Sequence, residues 1–255
     1  MDGINFVGTP AECDTTAANG STAVGASVLG AQAFADADHE SQAASASFGN
    51  FAKSEANEQS QAAALSAFDS SVLFAKARHQ SQAVGVSLFG SIAVADADDQ
   101  SRTASGALVN GAATTSADDQ GTAAAVAIDN STASASAGFS GGTDHTAAAL
   151  AITGSNAIAE AGGGGGNDNT AAAGAAFGSE ARATAANSGQ AAAGALFDSN
   201  AKAVGDGYNA LALAAGSSSA DTTGPAPTCS GGLALAARTN DGAFCLHAAG
   251  LVLTG

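Results

Sequence analysis

The sequence predicts an all-β fold, a β-solenoid of about nine to ten 20-residue coils, capped at both ends. Two parallel sheets packed face to face would form its body. Three observations predict this: a repeat of about 20 residues, two alternating segments in each repeat, and Gly, Asp, Asn or Ser between the segments. Each coil of a solenoid buries its faces by stacking on its neighbours, which is why the pattern recurs along the chain.

The repeat is most literal where the dipeptide Ser-Gln recurs at Ser41, Ser60 and Ser81, with spacings of 19 and 21 residues. Ser101 follows 20 residues later, and the series continues less literally through Gly121, His145, Asn169 and Gly189. The steps to His145 and to Asn169 are stretched to 24 residues, and the extra residues are rich in glycine. Such glycine-rich excess belongs in loops between strands.

Each repeat contains two predicted strands joined by a corner. Residues 82–88 (QAVGVSL) form the first strand of one unit, residues 89–91 (FGS) the corner and residues 92–97 (IAVADA) the second strand. Alanine favours helices, but Gly85 and Gly106 lie in the middle of segments that show no stripe of period 3.6. The pattern therefore favours strands.

The ends of the chain differ in composition from the repeats. We expect an N-terminal cap over residues 1–20, the repeat array over residues 21–216 and a C-terminal cap over residues 217–255. A cap is needed because the exposed end of a solenoid is an unpaired sheet edge. In the C-terminal cap, two apolar segments flank the sequence Asn-Asp-Gly at residues 240–242, which predicts a β-hairpin.

The alternation also predicts which side chains face inward. In the second strand of each unit, Ala93, Ala95 and Ala97 alternate with positions that elsewhere hold charges such as Lys53 and Glu160, so the alanines should face the core. The first strand carries no charge on either side. We expect its bulkier set to face inward because that orientation buries more apolar area.

On that orientation, the outer surface of the first sheet is a flat, uncharged face of small residues. Such a face, at roughly 600 Å² from the strand and coil spacing, is large enough to indicate an interaction surface. The predicted interaction face comprises Ala83, Gly85, Ser87, Thr103, Ser105, Ala107, Ala123, Ala125, Ala127, Ala147, Ala149, Ala151, Ala171, Ala173, Ala175, Ala191, Ala193 and Ala195. Four phenylalanines at the corners are expected to stack as a hydrophobic post, namely Phe68, Phe89, Phe177 and Phe197.

The three cysteines, Cys13, Cys229 and Cys245, lie near the two ends of the chain, as expected for disulfide-stapled caps in an oxidising compartment. Cys229 and Cys245 share the C-terminal cap and are the expected disulfide. The alternative, Cys13 with either of them, would require the two ends of the rod to meet.

Charge and chemistry exclude several function classes. The 23 acidic against 7 basic side chains argue against nucleic acid as a partner. No apolar run is long enough for a transmembrane helix, so no membrane insertion is expected, and no signal peptide is visible. No catalytic constellation or phosphate loop is present in the sequence, and we expect a non-enzymatic protein without cofactors.

Three histidines fall in predicted turns close to aspartates, which raises the question of a metal site. His39 and His79 lie two coils apart, about 9.6 Å, too far to share a zinc ion. His145 lies beside Asp144 in a longer turn. We expect all three to be solvated turn residues, with no metal bound. Whether the stacked acidic turns hold calcium is left open.

Two resemblances complete the sequence evidence. The Ala/Gly/Ser-rich strands followed by the tail GPAPTCSGG (224–232) and GAFC (242–245) resemble uncharacterised secreted proteins of actinobacteria, which implies export and a surface setting. The flat two-sheet solenoid resembles some insect ice-binding proteins, which present Thr-x-Thr rows. We therefore expect an extracellular or cell-surface structural rod that associates with itself or with another surface protein through its flat face. The alternative is an ice-binding protein that uses the same face.

Overall fold

The computed structural model describes a large part of the chain. The described residues are 3–7, 13–20, 22–28, 32–48, 51–67, 72–80, 82–90, 92–100, 102–138, 145–154, 156–162, 169–178, 180–186, 190–197, 200–205, 210–215, 219–221, 228–230, 233–239, 242–247 and 252–254. Within these ranges every regular element is a β-strand.

The strands follow one another at short intervals. In chain order they are β1 (Gly3–Val7), β2 (Cys13–Ala18), β3 (Thr22–Val28), β4 (Ala33–Asp38), β5 (Gln42–Phe48), β6 (Ala52–Ala56), β7 (Gln61–Ser66), β8 (Val72–Ala77), β9 (Gln82–Phe89), β10 (Ile92–Ala97), β11 (Arg102–Val109), β12 (Ala112–Ala117), β13 (Thr122–Ile128), β14 (Thr132–Ala137), β15 (Thr146–Ile152), β16 (Asn156–Ala161), β17 (Thr170–Ala176), β18 (Glu180–Ala185), β19 (Gln190–Leu196), β20 (Asn200–Gly205), β21 (Ala210–Ala214), β22 (Ser219–Asp221), β23 (Thr228–Ser230), β24 (Ala234–Thr239), β25 (Gly242–His247) and β26 (Val252–Thr254).

The strands form two sheets by strict alternation. Sheet 1 contains the odd-numbered strands from β1 to β21 in order, followed by β24, β25 and β26, and sheet 2 contains the even-numbered strands from β2 to β22, followed by β23. Each odd strand and the even strand after it make one coil. Neighbouring strands from β1 to β22 pair in parallel, for example β9 with β11 and β10 with β12. This topology confirms the predicted β-solenoid.

The two ends of the array differ in how they are built. Residues 1–20 contribute the first strand of each sheet, because β1 pairs in parallel with β3 and β2 pairs in parallel with β4. At the other end the direction reverses, and β24, β25 and β26 extend sheet 1 with antiparallel pairs. The strands β24 and β25 lie on either side of the Asn-Asp-Gly sequence.

The structure brings the two cysteines of the predicted disulfide, Cys229 and Cys245, to disulfide distance. Cys229 lies on β23 in sheet 2 and Cys245 on β25 in sheet 1, and their Cα atoms are 6.0 Å apart. That separation is within the range that a disulfide spans. Both residues are buried, and the pair links β23, the last strand of sheet 2, to β25, the last but one of sheet 1.

The interior is built mainly from alanine, with serine or threonine at some inward positions. Sheet 2 contributes alanines at alternate positions, and Ala93, Ala95 and Ala97 are all buried, which confirms the predicted orientation of the second strand. Charged positions such as Lys53 and Glu160 lie on its outer side.

The predicted orientation of the first strand is wrong. The residues expected to form an outer interaction face point into the core, and the bulkier residues point outward. The buried set comprises Ala83, Gly85, Ser87, Thr103, Ser105, Ala107, Ala123, Ala125, Ala127, Ala147, Ala149, Ala151, Ala171, Ala173, Ala175, Ala191, Ala193 and Ala195. None of them is available for docking a partner.

The physical reason is the short distance between the sheets. The hydroxyl oxygens of Ser45 on sheet 1 and Ser54 on sheet 2 are 2.8 Å apart, a hydrogen bond that spans the whole core. Where one large side chain, Leu73, does enter the core, Gly85 faces it, and a Cβ at Gly85 would lie 2.8 Å from the Leu73 Cδ2 atom. A row of inward valines and leucines would force the sheets apart.

Many corners turn through residues in the left-handed conformation. His39 and Glu40 have φ angles of 50° and 57°, and the following coils repeat this pair at Glu58 and Gln59. The backbone of each such corner hydrogen-bonds to the next, as in the 3.0 Å bond from the Glu40 N–H to the Glu58 carbonyl. The ladder of the sheets therefore continues around the edge of the rod.

The predicted phenylalanine post is formed only in part, and its described rings lie on the surface. Phe177 and Phe197 stack with ring centroids 5.0 Å apart, but both lie exposed at their corners. Phe89 is also exposed, at the end of β9, and Phe68 lies outside the described residues.

The neighbouring residues Ala124 and Ala125 test the orientation of sheet 1. We expect Ala125→Lys to lower the free energy of unfolding by more than about 3 kcal/mol, because Ala125 is 1% exposed and the ammonium group would be buried without a partner. Ala124→Lys places the same charge on the outer side and should change the stability of the monomer by less than about 0.5 kcal/mol. Urea denaturation followed by circular dichroism measures both; a stable Ala125→Lys protein would contradict the inward orientation.

The contact between Leu73 and Gly85 predicts that the effect of Gly85→Ala on stability changes sign when Leu73 is replaced by alanine. Gly85→Ala alone should destabilise the protein, because the new methyl group displaces the Leu73 side chain. Leu73→Ala should cost about 2–5 kcal/mol by leaving a cavity. In the Leu73→Ala background, Gly85→Ala should become stabilising, since it fills part of that cavity. Independent, additive effects in a double-mutant cycle would show that the two residues do not determine the local sheet separation.

Candidate functional site

The outer surface of sheet 1 consists of columns of side chains, one residue per coil. Column 1 contains Thr22, Gln42, Gln61, Gln82, Arg102, Thr122, Thr146, Thr170 and Gln190. Column 2 contains Val24, Ala44, Ala63, Val84, Ala104, Ala124, Ala148, Ala172, Ala192 and Leu211. Column 3 contains Ala26, Ala46, Leu65, Val86, Gly106, Val126, Leu150, Gly174, Gly194 and Leu213.

A fourth column lies toward the ends of the same strands. Column 4 contains Phe48, Leu88, Leu108, Ile128, Ile152, Ala176 and Leu196. We call columns 2, 3 and 4 together the apolar face. With about 6.6 Å of strand counted for each of its three columns, it spans roughly 20 Å along the strands and roughly 48 Å across ten strands, which is about 900 Å². Single apolar patches on monomeric proteins are about 300–600 Å² at their largest, so the apolar face exceeds the ordinary range.

The large side chains of the apolar face are open to solvent. Val84 is 42% exposed, Leu150 is 43% exposed and Leu213 is 45% exposed. The outer face of sheet 2 presents fewer such residues, with Phe74 and Ile92 as its exposed large apolar side chains among the described residues. The exposed apolar area is therefore concentrated on one side of the rod.

Charge is distributed in the opposite way. Along columns 1 to 4, as the described residues define them, Arg102 is the single charged side chain. The outer face of sheet 2 carries ion pairs, between Lys53 and Glu55 at 2.9 Å and between Lys76 and Asp96 at 3.9 Å. The rod is thus amphipathic, with one apolar face and one charged face.

The apolar face is not uniformly flat. Near its C-terminal end, a shallow depression of about 410 Å³ is lined by alanine, glycine, valine and leucine only. Its floor includes Gly174 and Gly194, and Leu150 and Leu213 lie on either side in column 3. A Cβ at Gly194 would have no atom within 4 Å, so this position opens directly to solvent.

A larger groove, about 1210 Å³, runs along one edge of the rod. It is lined by corner residues that stack one per coil, including His39, Glu58, His79 and Asp99. These side chains contact one another: the His39 Nε2 atom lies 3.0 Å from the Glu58 Oε2 atom, and the His79 Nε2 atom lies 3.5 Å from the Asp99 Oδ2 atom. Within the described residues, no group of three or more His, Cys, Asp or Glu side chains is placed to hold a metal ion.

The corner histidines fall into two different environments. His39 and His79 are exposed, as expected, and the coil containing Glu58 separates them. His145 is fully buried, so the expectation that it is a solvated turn residue is wrong. Its backbone carbonyl accepts from the Thr170 N–H, and its ring packs against Gly138, which has a φ of +87°.

The signal for a buried His145 was present in the spacing. His145 and Asn169 occupy the corner position that holds Ser60 or Gly121 in other coils, and both are buried there. Each follows a stretched 24-residue step. The longer corners coincide with the larger inward side chains, because a small residue fills the ordinary corner completely.

Asp36, on the outer face of sheet 2, has a perturbed acidity. Partial burial and the neighbouring Glu55 carboxylate raise the pKa of Asp36, Lys53 opposes this, and Asp14 adds to it. A negative charge at Asp36 is therefore less favourable in the folded protein than in the unfolded chain. Asp36 destabilises the fold at neutral pH.

Comparison with protein-family models, with curated proteins and with solved structures finds no match to this chain. The described residues form no helix with the length and apolarity needed to cross a membrane.

The raised pKa of Asp36 predicts how stability depends on pH. Since the folded-state pKa lies above the ordinary value of 3.8, the penalty is fully present above the folded pKa and disappears as the pH falls below about 3.8. Asp36→Asn should therefore raise Tm at pH 7, and the difference from the unmodified protein should vanish near pH 3. Asp129→Asn, at an exposed corner, removes the same charge as a control. Equal changes in Tm for both variants at both pH values would show that the effect does not come from the surroundings of Asp36.

Proposed function

We propose that this protein is a non-enzymatic structural β-solenoid, extracellular or at the cell surface, that associates with itself through the apolar face of sheet 1. The observation that carries the proposal is the size of that face, about 900 Å², together with its lack of charge. A standard stable protein interface buries about 800 Å² on each partner. One face of this rod therefore supplies the area that a stable homodimer needs.

The charge distribution supports a second copy as the partner. The chain carries a formal net charge of −16, so two copies repel each other if their charged faces approach. Face-to-face contact through sheet 1 keeps the sheet 2 faces on the outside and apart. The only charge within columns 1 to 4 as described, Arg102, lies in column 1 at the margin of the apolar face.

The extracellular setting rests on a smaller observation. The buried Cys229–Cys245 disulfide is compatible with an oxidising compartment, where such bonds persist. Ice binding was predicted as the alternative use of a flat face. Thr103, the threonine of the expected face, is buried, and the consecutive outward threonines of sheet 1, Thr122, Thr146 and Thr170, form one short run in column 1. The threonines therefore favour ice binding less than self-association, and the test below distinguishes the two.

The test compares the association of matched variants. Light scattering during size-exclusion chromatography should give a dimer or larger species for the unmodified protein. Val126→Lys, at the middle of the apolar face, should weaken association at least about 100-fold, because the interface would bury an unpaired charge. Thr114→Lys adds the same charge to the outer face of sheet 2 and should leave association unchanged.

A monomeric unmodified protein at concentrations near 100 μM, roughly the weakest affinity expected of so large an apolar face, would overturn the proposal. Thermal hysteresis measured on the same samples identifies the alternative. A monomer that shapes ice crystals would support ice binding instead, and a monomer without effect on ice would leave neither function standing.

A further inference from the structure

The side chains of column 3 vary in size in an ordered way. From β5 to β21 the column holds Ala46, Leu65, Val86, Gly106, Val126, Leu150, Gly174, Gly194 and Leu213. Leucine or valine thus projects from the face at some coils, and glycine leaves a depression at others. Gly106 and Gly194 are open, since a Cβ there would meet no atom within 4 Å, whereas a Cβ at Gly174 would lie 3.2 Å from the Leu150 Cδ1 atom.

Column 3 is complementary in size to a second copy of itself laid over it with the coils in reverse order and the two Val126 residues opposite each other. Leu65 then lies opposite Gly194, and Val86 lies opposite Gly174. Gly106 lies opposite Leu150, since both are one coil from Val126. Every large side chain within three coils of Val126 therefore faces a glycine, and Val126 faces its own copy.

Column 2 obeys the same reversal. Val84 lies opposite Ala172, and Ala44 lies opposite Leu211, while the remaining pairs within four coils are alanine against alanine. Column 4 obeys it only in part: Leu88 comes opposite Ala176, but Leu108 comes opposite Ile152 and Ile128 opposite its own copy. In column 1, Arg102 comes opposite Thr146, so no like charges meet. Packed sheets interdigitate across about 10 Å, and alternation of large and small residues across facing positions fills that space without voids.

The other face-to-face arrangement lacks this complementarity. A two-fold axis along the rod would keep each coil opposite the same coil and exchange column 2 with column 3. Leu211 would then meet Leu213, and Ala172 would meet Gly174, so large residues would collide while small ones left a void. A two-fold axis parallel to the strands instead preserves the columns and reverses the coils.

We propose that the partner is a second copy in an antiparallel, two-fold symmetric arrangement, with the axis parallel to the strands and passing between the two Val126 residues. This inference rests on the proposed self-association and specifies its geometry. The interface is isologous, so each contact between different residues occurs twice. Leu65 inserts above Gly194 of the other copy, and Leu150 inserts above Gly106.

A size swap tests the contact between Leu65 and Gly194. Gly194→Leu should weaken dimerisation at least about tenfold, because the added side chain collides with Leu65 of the other copy at two symmetric places. The monomer should keep its fold, since the position opens to solvent. Adding Leu65→Ala should restore the affinity to within about threefold. Circular dichroism confirms folding, and sedimentation gives the affinity.

The outcome of the swap is decisive for the geometry. In the arrangement with the axis along the rod, Gly194 faces Ala192, so Leu65→Ala would not rescue the Gly194→Leu variant. A protein that dimerises, but in which Leu65→Ala gives no rescue, overturns the antiparallel geometry and leaves the proposed self-association intact. A protein that remains monomeric overturns both.

Spin-label distances provide an independent measurement. In a Cys13→Ser background, single cysteines replace Thr122, Gln82 and Gln42, which lie in column 1 at zero, two and four coils from Val126. The antiparallel dimer predicts axial separations of about 0, 19 and 38 Å between the two labels, from the coil spacing of about 4.8 Å. Three equal separations would show parallel rods and overturn the inference.

Discussion

The small distance between the two sheets determines most of this molecule. Alanines from both sheets meet in the interior, and a serine hydroxyl on one sheet reaches a serine hydroxyl on the other at 2.8 Å. Each buried methyl group contributes only about 0.8 kcal/mol, so the fold depends on the number of coils and on the backbone ladder between them. The one leucine of the described core, Leu73, requires a glycine opposite it. Larger apolar side chains have no place inside and project outward.

The sequence specifies the coils, the two sheets and the orientation of sheet 2. Lys53 and Glu160 mark the outer side of sheet 2, because an unpaired charge is excluded from an apolar interior. Sheet 1 has no such marker. Maximising buried apolar area predicts that Val84 and Leu150 face inward. This prediction is wrong because it does not compare the volume of these side chains with the space between the sheets. The alanines of sheet 2 already fix a narrow gap, which only small residues can complete from the other side.

The sequence predicts where the corners lie, but not which of their side chains are buried. Asp, His and Asn occur at these positions in every coil, and short-range composition does not reveal which of them point inward. His39 faces solvent and His145 is buried, although both follow a carboxylate-bearing residue in the sequence. The difference lies in their place in the corner: His145 holds the buried position of Ser41 and Ser60, after a 24-residue step, whereas His39 lies two residues before that position. Spacing therefore carries information that residue type does not.

The same thin core that displaces the large apolar residues also separates them from the charges. Charged side chains occupy the outer side of sheet 2 and one edge, and the apolar residues excluded from the core collect on sheet 1. An assembly through sheet 1 would cover the apolar face completely and present charged sheet 2 faces on both outer sides. Association of this kind closes at two copies instead of extending into fibres, because an isologous contact uses the same patch on each partner. The high negative charge would then favour a dispersed dimer over further aggregation.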